Sequence, residues 1–194
     1  LSLWHGKTKV YNNIQDHVSH IFYHKRAKQI LMEKYAWSEE QFLMVDWSAN
    51  KKATKMMSIP TRTWISKFVT GFLPIGRNMK RIGHWSQDHC PRCGYVEETH
   101  THLLQCAHAP SRKLLDENIG KIRDWLTKMY TPDTLNIQII AKMRAYLGIR
   151  SAEYICPLGP IQKQELLGGW KHFMEGRIHE DFTTYMQSHY EATD

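Results

Sequence analysis

Acidic residues are nearly missing from one long stretch of this chain. Between Trp47 and Arg92 the basic residues Lys51, Lys52, Lys55, Arg62, Lys67, Arg77, Lys80, Arg81 and Arg92 face a single acid, Asp88. Such a surface repels cationic partners and suits a polyanion. Cysteine is scarce as well: four in 194 residues, three of them close together. That excludes a disulfide framework and favours a reducing compartment. No apolar run approaches the roughly 20 residues that cross a bilayer, and no charged-then-apolar leader resembles a signal peptide. The chain is therefore expected to stay inside the cell, nuclear or cytoplasmic, with no membrane partner. It opens at Leu1 without an initiator methionine, which is read as the mark of a piece of a longer polypeptide.

What is present is a metal-ligand pattern. Cys90, Cys93, His102 and Cys106 fall in CPRCGYVEETHTHLLQC with the spacing C-x2-C-x8-H-x3-C. Three thiolates and one imidazole form a ligand set of structural zinc, and a full set leaves no open position for a reacting water. Pro91, Arg92 and the following Gly94 suit a tight turn that aims the first two sulfurs at one point. His102 and Cys106 are four apart, so a short helix capped by Thr99 would present both on one face. His100 would be turned away from Cys106 on such a helix, and His102 is preferred. His100 and His108 stay as alternatives. Cys156 lies far along the chain, in ICPLGP, and is read as a buried or idle thiol.

The net charge of +7 is concentrated upstream of this cluster. The candidate nucleic-acid-binding set is Lys51, Lys52, Lys55, Arg62, Lys67, Arg77, Lys80, Arg81, Trp85 and Arg92. Trp64, Phe68 and Phe72 recur every four residues beside Ile65 and Val69, the stripe of a helix buried on one side, so these rings are expected in a core. Trp85 stands outside the stripe and is assigned to bases. His84 and His89 are candidates for phosphate contact or for support of the metal ligands. His17, His20 and His24, with Asp16, have the spacing of a helix face that could hold a second metal or a nuclease-like site. Lacking cysteine or carboxylate partners at fixed spacing, they are read first as exposed helix residues.

The remaining pattern is helical. Asp16 caps a helix to about Met32, with Val18, Ile21, Phe22 and Leu31 inward. Ser38 with Gln41 forms a capping box. Ser58 and Pro60 open the tryptophan helix, and Gly71 ends it. Pro110 opens a helix with Leu115, Ile119, Ile122, Leu126 and Met129 on one face. A further helix runs from about Asp133 to Leu147, and Gly168, Gly169 and Gly176 divide the final helical region in two. No alternating strand pattern or internal repeat is evident. The expected fold is all-α: an N-terminal helical segment with a basic face (1–89), a zinc knuckle (90–108) and C-terminal helices (109–194), in one compact domain.

The run from Thr63 to Cys106, with its G-x-L-P-x-G turn at Gly71 to Gly76, its CPxCG pair, the Glu98-Thr99 step and H-L-L-x-C, resembles the zinc-binding region after the polymerase in retrotransposon reverse transcriptases, particularly of non-LTR elements. GGWKHFMEGRI, Gly168 to Ile178, is similar to a tail motif of such proteins. These stretches cover about half the chain. Three residues separate His102 from Cys106 where many members have four, as a divergent branch would. The resemblance implies one structural zinc, RNA or DNA as ligand, and other domains of a parent polyprotein as partners. Catalysis is expected elsewhere in that polyprotein. The chain has no tyrosine-flanked aspartate pair for polymerase metals. Pro132-Asp133 has no acid-x-Lys step after it, as a restriction-type nuclease would need, and is read as a helix start. The alternatives are a structural or protein-interaction zinc module, and a metal-dependent nuclease using His17 or His20.

Overall fold

The computed structural model describes residues 3–5, 7–10, 25–149 and 156–193. The chain divides into two compact units, residues 1–45 and 46–194. The described residues are mostly helical, and none of their helices is long and apolar enough to cross a membrane.

The first unit departs from the wholly helical expectation in one antiparallel hairpin. Strand β1 (Leu3–His5) pairs with β2 (Thr8–Val10) in the register Leu3 with Val10, Trp4 with Lys9 and His5 with Thr8. Three residues per strand are too few to show a period of two, so hydrophobic patterning could not reveal them. Asp16, His17, Val18, His20, Ile21, Phe22 and His24 lie outside the described residues. Helix α1 (Lys25–Tyr35) ends at Ala36, which takes a left-handed φ of 52° while Trp37 N donates to Met32 O at 2.9 Å. This closes the last turn as a Schellman-type cap. The capping box forms at α2 (Glu39–Leu43): Gln41 N donates to Ser38 Oγ at 3.1 Å and Ser38 N to Gln41 Oε1 at 3.0 Å.

In the second unit, α3 (Trp47–Met56) begins at Asp46, whose carboxylate accepts from Ala49 N at 2.8 Å and from Thr183 Oγ1 at 2.7 Å. One side chain thus caps a helix and ties it to the chain's far end. Helix α4 (Ile59–Thr70) starts at Ser58 with Pro60 in its first turn and stops at Gly71, φ 82°. A short α5 (Gly76–Arg81) and α6 (His100–Gln105) flank the cysteine region. Then α7 (Ala109–Lys128) and α8 (Asp133–Tyr146) pack together, followed by α9 (Gly159–Leu166), α10 (Gly169–Met174) and α11 (Asp181–Thr193). The tail therefore forms three helices, not two. Gly168 and Gly176 sit at the breaks with positive φ.

The main core gathers Ile119, Leu135, Ile139, Ile140, Met143, Leu147, Ile161, Trp170 and Phe182. A second cluster, Phe68, Leu73 and Ile75, is joined by Val69, Leu103 and Leu104. Two expected stripes are only partly interior. On α4, Phe68 is buried but Trp64 is 52% exposed, and Phe72, past the Gly71 cap, is 61% exposed. On α7, Ile119 is buried while Ile122 and Met129 are exposed. At 100° per residue these two lie about 60° and 80° round the helix from Ile119, away from the centre of the buried face.

The GGWKHFMEGRI segment is largely interior and polar. Arg177 Nε donates to His172 Nδ1 at 2.8 Å, and its guanidinium pairs with Glu175. Gln164 Nε2 donates to Arg177 O at 3.2 Å, while its Oε1 accepts from His179 N at 2.9 Å. Burial, with the Arg177 and Lys171 charges adding to it, pushes His172 down from 6.5 to about 4. The unfolded chain then binds more protons between these values, so stability is full above pH 6.5 and declines as the pH falls toward 4. The urea midpoint should drop between pH 7 and 5 by more in the native protein than in His172→Gln, which keeps any acid sensitivity of the thiolates but lacks the titrating imidazole.

Candidate metal centre

The turn at Cys90 is built by two backbone bonds: Cys90 N donates to Tyr95 O and Gly94 N to Cys90 O, both at 2.9 Å. Gly94 closes it with φ 73°, a conformation that penalises any residue with a Cβ. On the other side, Thr99 Oγ1 accepts from His102 N at 3.1 Å and starts α6. Helix α6 ends at Gln105, so Cys106 is its extended C-cap, one step short of the helical pairing with His102 that the spacing suggests.

The four side chains nevertheless meet. Cys90 Sγ and Cys106 Sγ are 3.8 Å apart, Cys93 Sγ and His102 Nε2 are 3.3 Å apart, and all four atoms lie within 4.8 Å of one another. Such a cluster could hold a metal ion. Cys90 and Cys106 are buried and Cys93 is exposed. Burial pushes the Cys106 thiol up, whereas a bond from the Tyr95 backbone lowers that of Cys93. The Tyr95 ring stacks on His102 at 4.8 Å and 9° between planes, which fixes the imidazole. His100 instead packs against Phe68 at 5.1 Å, and His108 Nδ1 meets Ser111 Oγ at 2.9 Å. Cys156 is exposed and outside the cluster.

Glu98 and Gly76 hold this centre to the scaffold, and neither role was legible beforehand. Glu98 is 4% exposed; its Oε2 accepts from Gly76 N at 2.8 Å and its Oε1 from Arg92 Nη2 at 3.2 Å. Its backbone N donates to Asp88 O at 2.7 Å and its O accepts from Arg77 N at 3.2 Å. The G-x-L-P-x-G turn thereby packs on the knuckle, with Asn78 Nδ2 donating to Gly71 O at 2.6 Å and Leu73 O at 2.8 Å. The only signals were the second glycine of that turn and an acid four residues after the CPxCG step. A Cβ on Gly76 would stand 2.5 Å from Asp88 O and 2.8 Å from Asp88 C, both backbone atoms that cannot step aside. Gly76→Ala should therefore destabilise the fold by about 1–3 kcal/mol or more, seen as a lower melting temperature and faster loss of metal to a chelator.

The basic residues are placed unevenly. Lys51, Lys52 and Lys55 are exposed on α3, and Arg62 and Lys67 on α4; none of the five has an ion pair among the described residues. On α5, Arg77 pairs with Glu97 at 3.3 Å and Lys80 with Asp88 at 3.0 Å, while Arg81 lies over the Phe72 ring at 5.4 Å. Arg92 is half-buried against Glu98. Burial works against its charge, but a bond to Cys90 and the charges of Cys106 and Cys90 outweigh that and hold the guanidinium charged more firmly than usual. Trp85, His84 and His89 are exposed. Comparisons of the chain with protein-family models, with curated proteins and with solved structures found no match.

Proposed function

We propose that this chain is a zinc-stabilised nucleic-acid-binding module of a retroelement reverse-transcriptase polyprotein, gripping template RNA or target DNA with no catalysis of its own. The observation that carries the reading is the Cys90, Cys93, His102 and Cys106 cluster at the end of a basic, acid-poor stretch of the chain. One edge of the site has the dimensions of a zinc tetrahedron. Bonds of about 2.3 Å to sulfur give a tetrahedral edge of about 3.8 Å, and the Cys90 to Cys106 separation is 3.8 Å. Zinc with three thiolates and a neutral imidazole carries one net negative charge, which Arg92 at its side offsets. Arg92 thus serves the knuckle first, and Lys51, Lys52, Lys55, Arg62 and Lys67 carry the phosphate contacts. These would dominate affinity with weak sequence preference.

Binding to labelled single-stranded RNA and to duplex DNA across a salt series, with zinc measured on the same sample, tests the reading. Equimolar zinc and a steep loss of affinity with salt are expected. Changing Lys51, Lys52 and Lys55 together to glutamine should flatten the slope of log affinity against log salt by about 2–3.

One observation favours a second reading, a protein-docking module. Leu114, Ile122, Trp125 and Met129 are exposed along α7, an apolar stripe of the kind that partner proteins cover. Equimolar zinc with no nucleic-acid binding at low salt would favour it.

A further inference from the structure

Trp64 lines a groove of about 290 Å³ together with Leu103 and Leu104 of α6, Leu114 and Leu115 of α7, and the candidate ligand Cys106. We infer that this groove takes one unpaired base of a single-stranded nucleic acid, stacked on Trp64, with Arg112 at the adjoining phosphate. The inference rests on the nucleic-acid reading and names its substrate as single-stranded.

Three observations converge. The Trp64 indole lies on Phe68 with centroids 5.4 Å apart and planes within 5°, so one face is supported, yet the residue stays 52% exposed. A large ring held flat by a neighbour and left open to water is a stacking platform, and every base has a π-face to offer it. The volume lies at the small end of the range for ligand pockets, about 300–1,000 Å³, which suits one planar base. A duplex keeps its base faces stacked inside and cannot present one without flipping it out. Charge supplies the third argument. Arg92 and Arg112 are among the lining residues and no acid is. Arg92 is paired with Glu98, whereas Arg112 bonds to the Leu147 carbonyl and has no ion pair among the described residues. An apolar slot lined by two arginines and no acid complements a base and its phosphate better than it does an apolar peptide. Trp85, the ring singled out from the sequence, is not part of this groove.

The test compares native protein, Trp64→Leu and Trp64→Phe on oligo(U), oligo(dT) carrying one 2-aminopurine, and a blunt duplex of the same length. Zinc content and circular dichroism are checked for each variant. Trp64→Leu should weaken single-strand binding about tenfold and abolish quenching of the 2-aminopurine, Trp64→Phe should lose about twofold, and duplex binding should be unchanged. Equal single-strand affinity for native protein and Trp64→Leu would overturn the inference. So would an equal loss on strand and duplex, and in both cases the nucleic-acid reading would survive. Native protein that binds neither strand nor duplex would instead remove the reading beneath it.

Discussion

On the zinc reading proposed above, Cys106→Ser should release the metal and disorder the Cys90–Cys106 segment. A serine hydroxyl is a poor zinc ligand, and Cys106 is the candidate ligand that ties α6 back to the Cys90 turn. Nothing local replaces it. Helix α6 has six residues, far below the roughly 12–15 at which an isolated helix is even marginal. With zinc worth on the order of 10 kcal/mol to a small site, its loss also frees Leu103 and Leu104, and with them the cluster around Phe68, Leu73 and Ile75. The buried residues of the core of α7 to α11 are others, with Leu104 packing at its edge, and that core should keep its helicity. Metal analysis should fall from one zinc per chain to near none, circular dichroism should lose a minor fraction of its helical signal, and nucleic-acid binding should vanish with the metal. Cys93→Ser should act in the same way from the exposed side of the site. Variants that keep full metal and full binding would refute the ligand assignment and the mechanism together.

Glu175→Gln should be the most damaging substitution away from the metal. The Glu175 and Arg177 side chains are 4% and 3% exposed and form an ion pair. Removing one member of a buried pair leaves the other charge uncompensated in a poorly solvated place, which costs about 3–5 kcal/mol. His172 cannot take over by charging, because its ring nitrogen Nδ1 already accepts from Arg177 Nε and burial holds it neutral. A urea titration should show the midpoint falling steeply for Glu175→Gln. The double variant Glu175→Gln, Arg177→Gln should recover part of the loss, since it buries no unpaired charge. Strict additivity of the two single changes would contradict the pairing. Neither residue is among the candidate metal ligands, so the metal content of the folded fraction should match that of the native protein.

These predictions separate features that local chemistry specifies from those that distant contacts specify. Ser38, Ser58, Gly71 and Thr99 cap helices from within a few residues of their partners, and the metal cluster lies within one short segment. Turn and cap preferences acting over three to eight residues suffice to place them. The hairpin at β1 and β2 was too short to leave a pattern. Helix α3 was not foreseen, because its ten residues bury no side chain and leave no apolar stripe, although Asp46 caps it locally through Ala49 N.

The sequence by itself determined the four metal-ligating candidates, most helix starts and stops, and the concentration of positive charge, because each rests on residue type and short spacing. Tertiary structure decided the rest. It turned Glu98 from a lead-in to a helix into a buried clasp, brought Gly76 against the backbone of Asp88, and folded GGWKHFMEGRI around a buried ion pair. It also left Trp64 open when its spacing called for burial. The physical reason is the same in each case: whether a side chain is buried, paired or free depends on what a separate part of the chain sets against it, and residue periodicity records only which face a side chain is on.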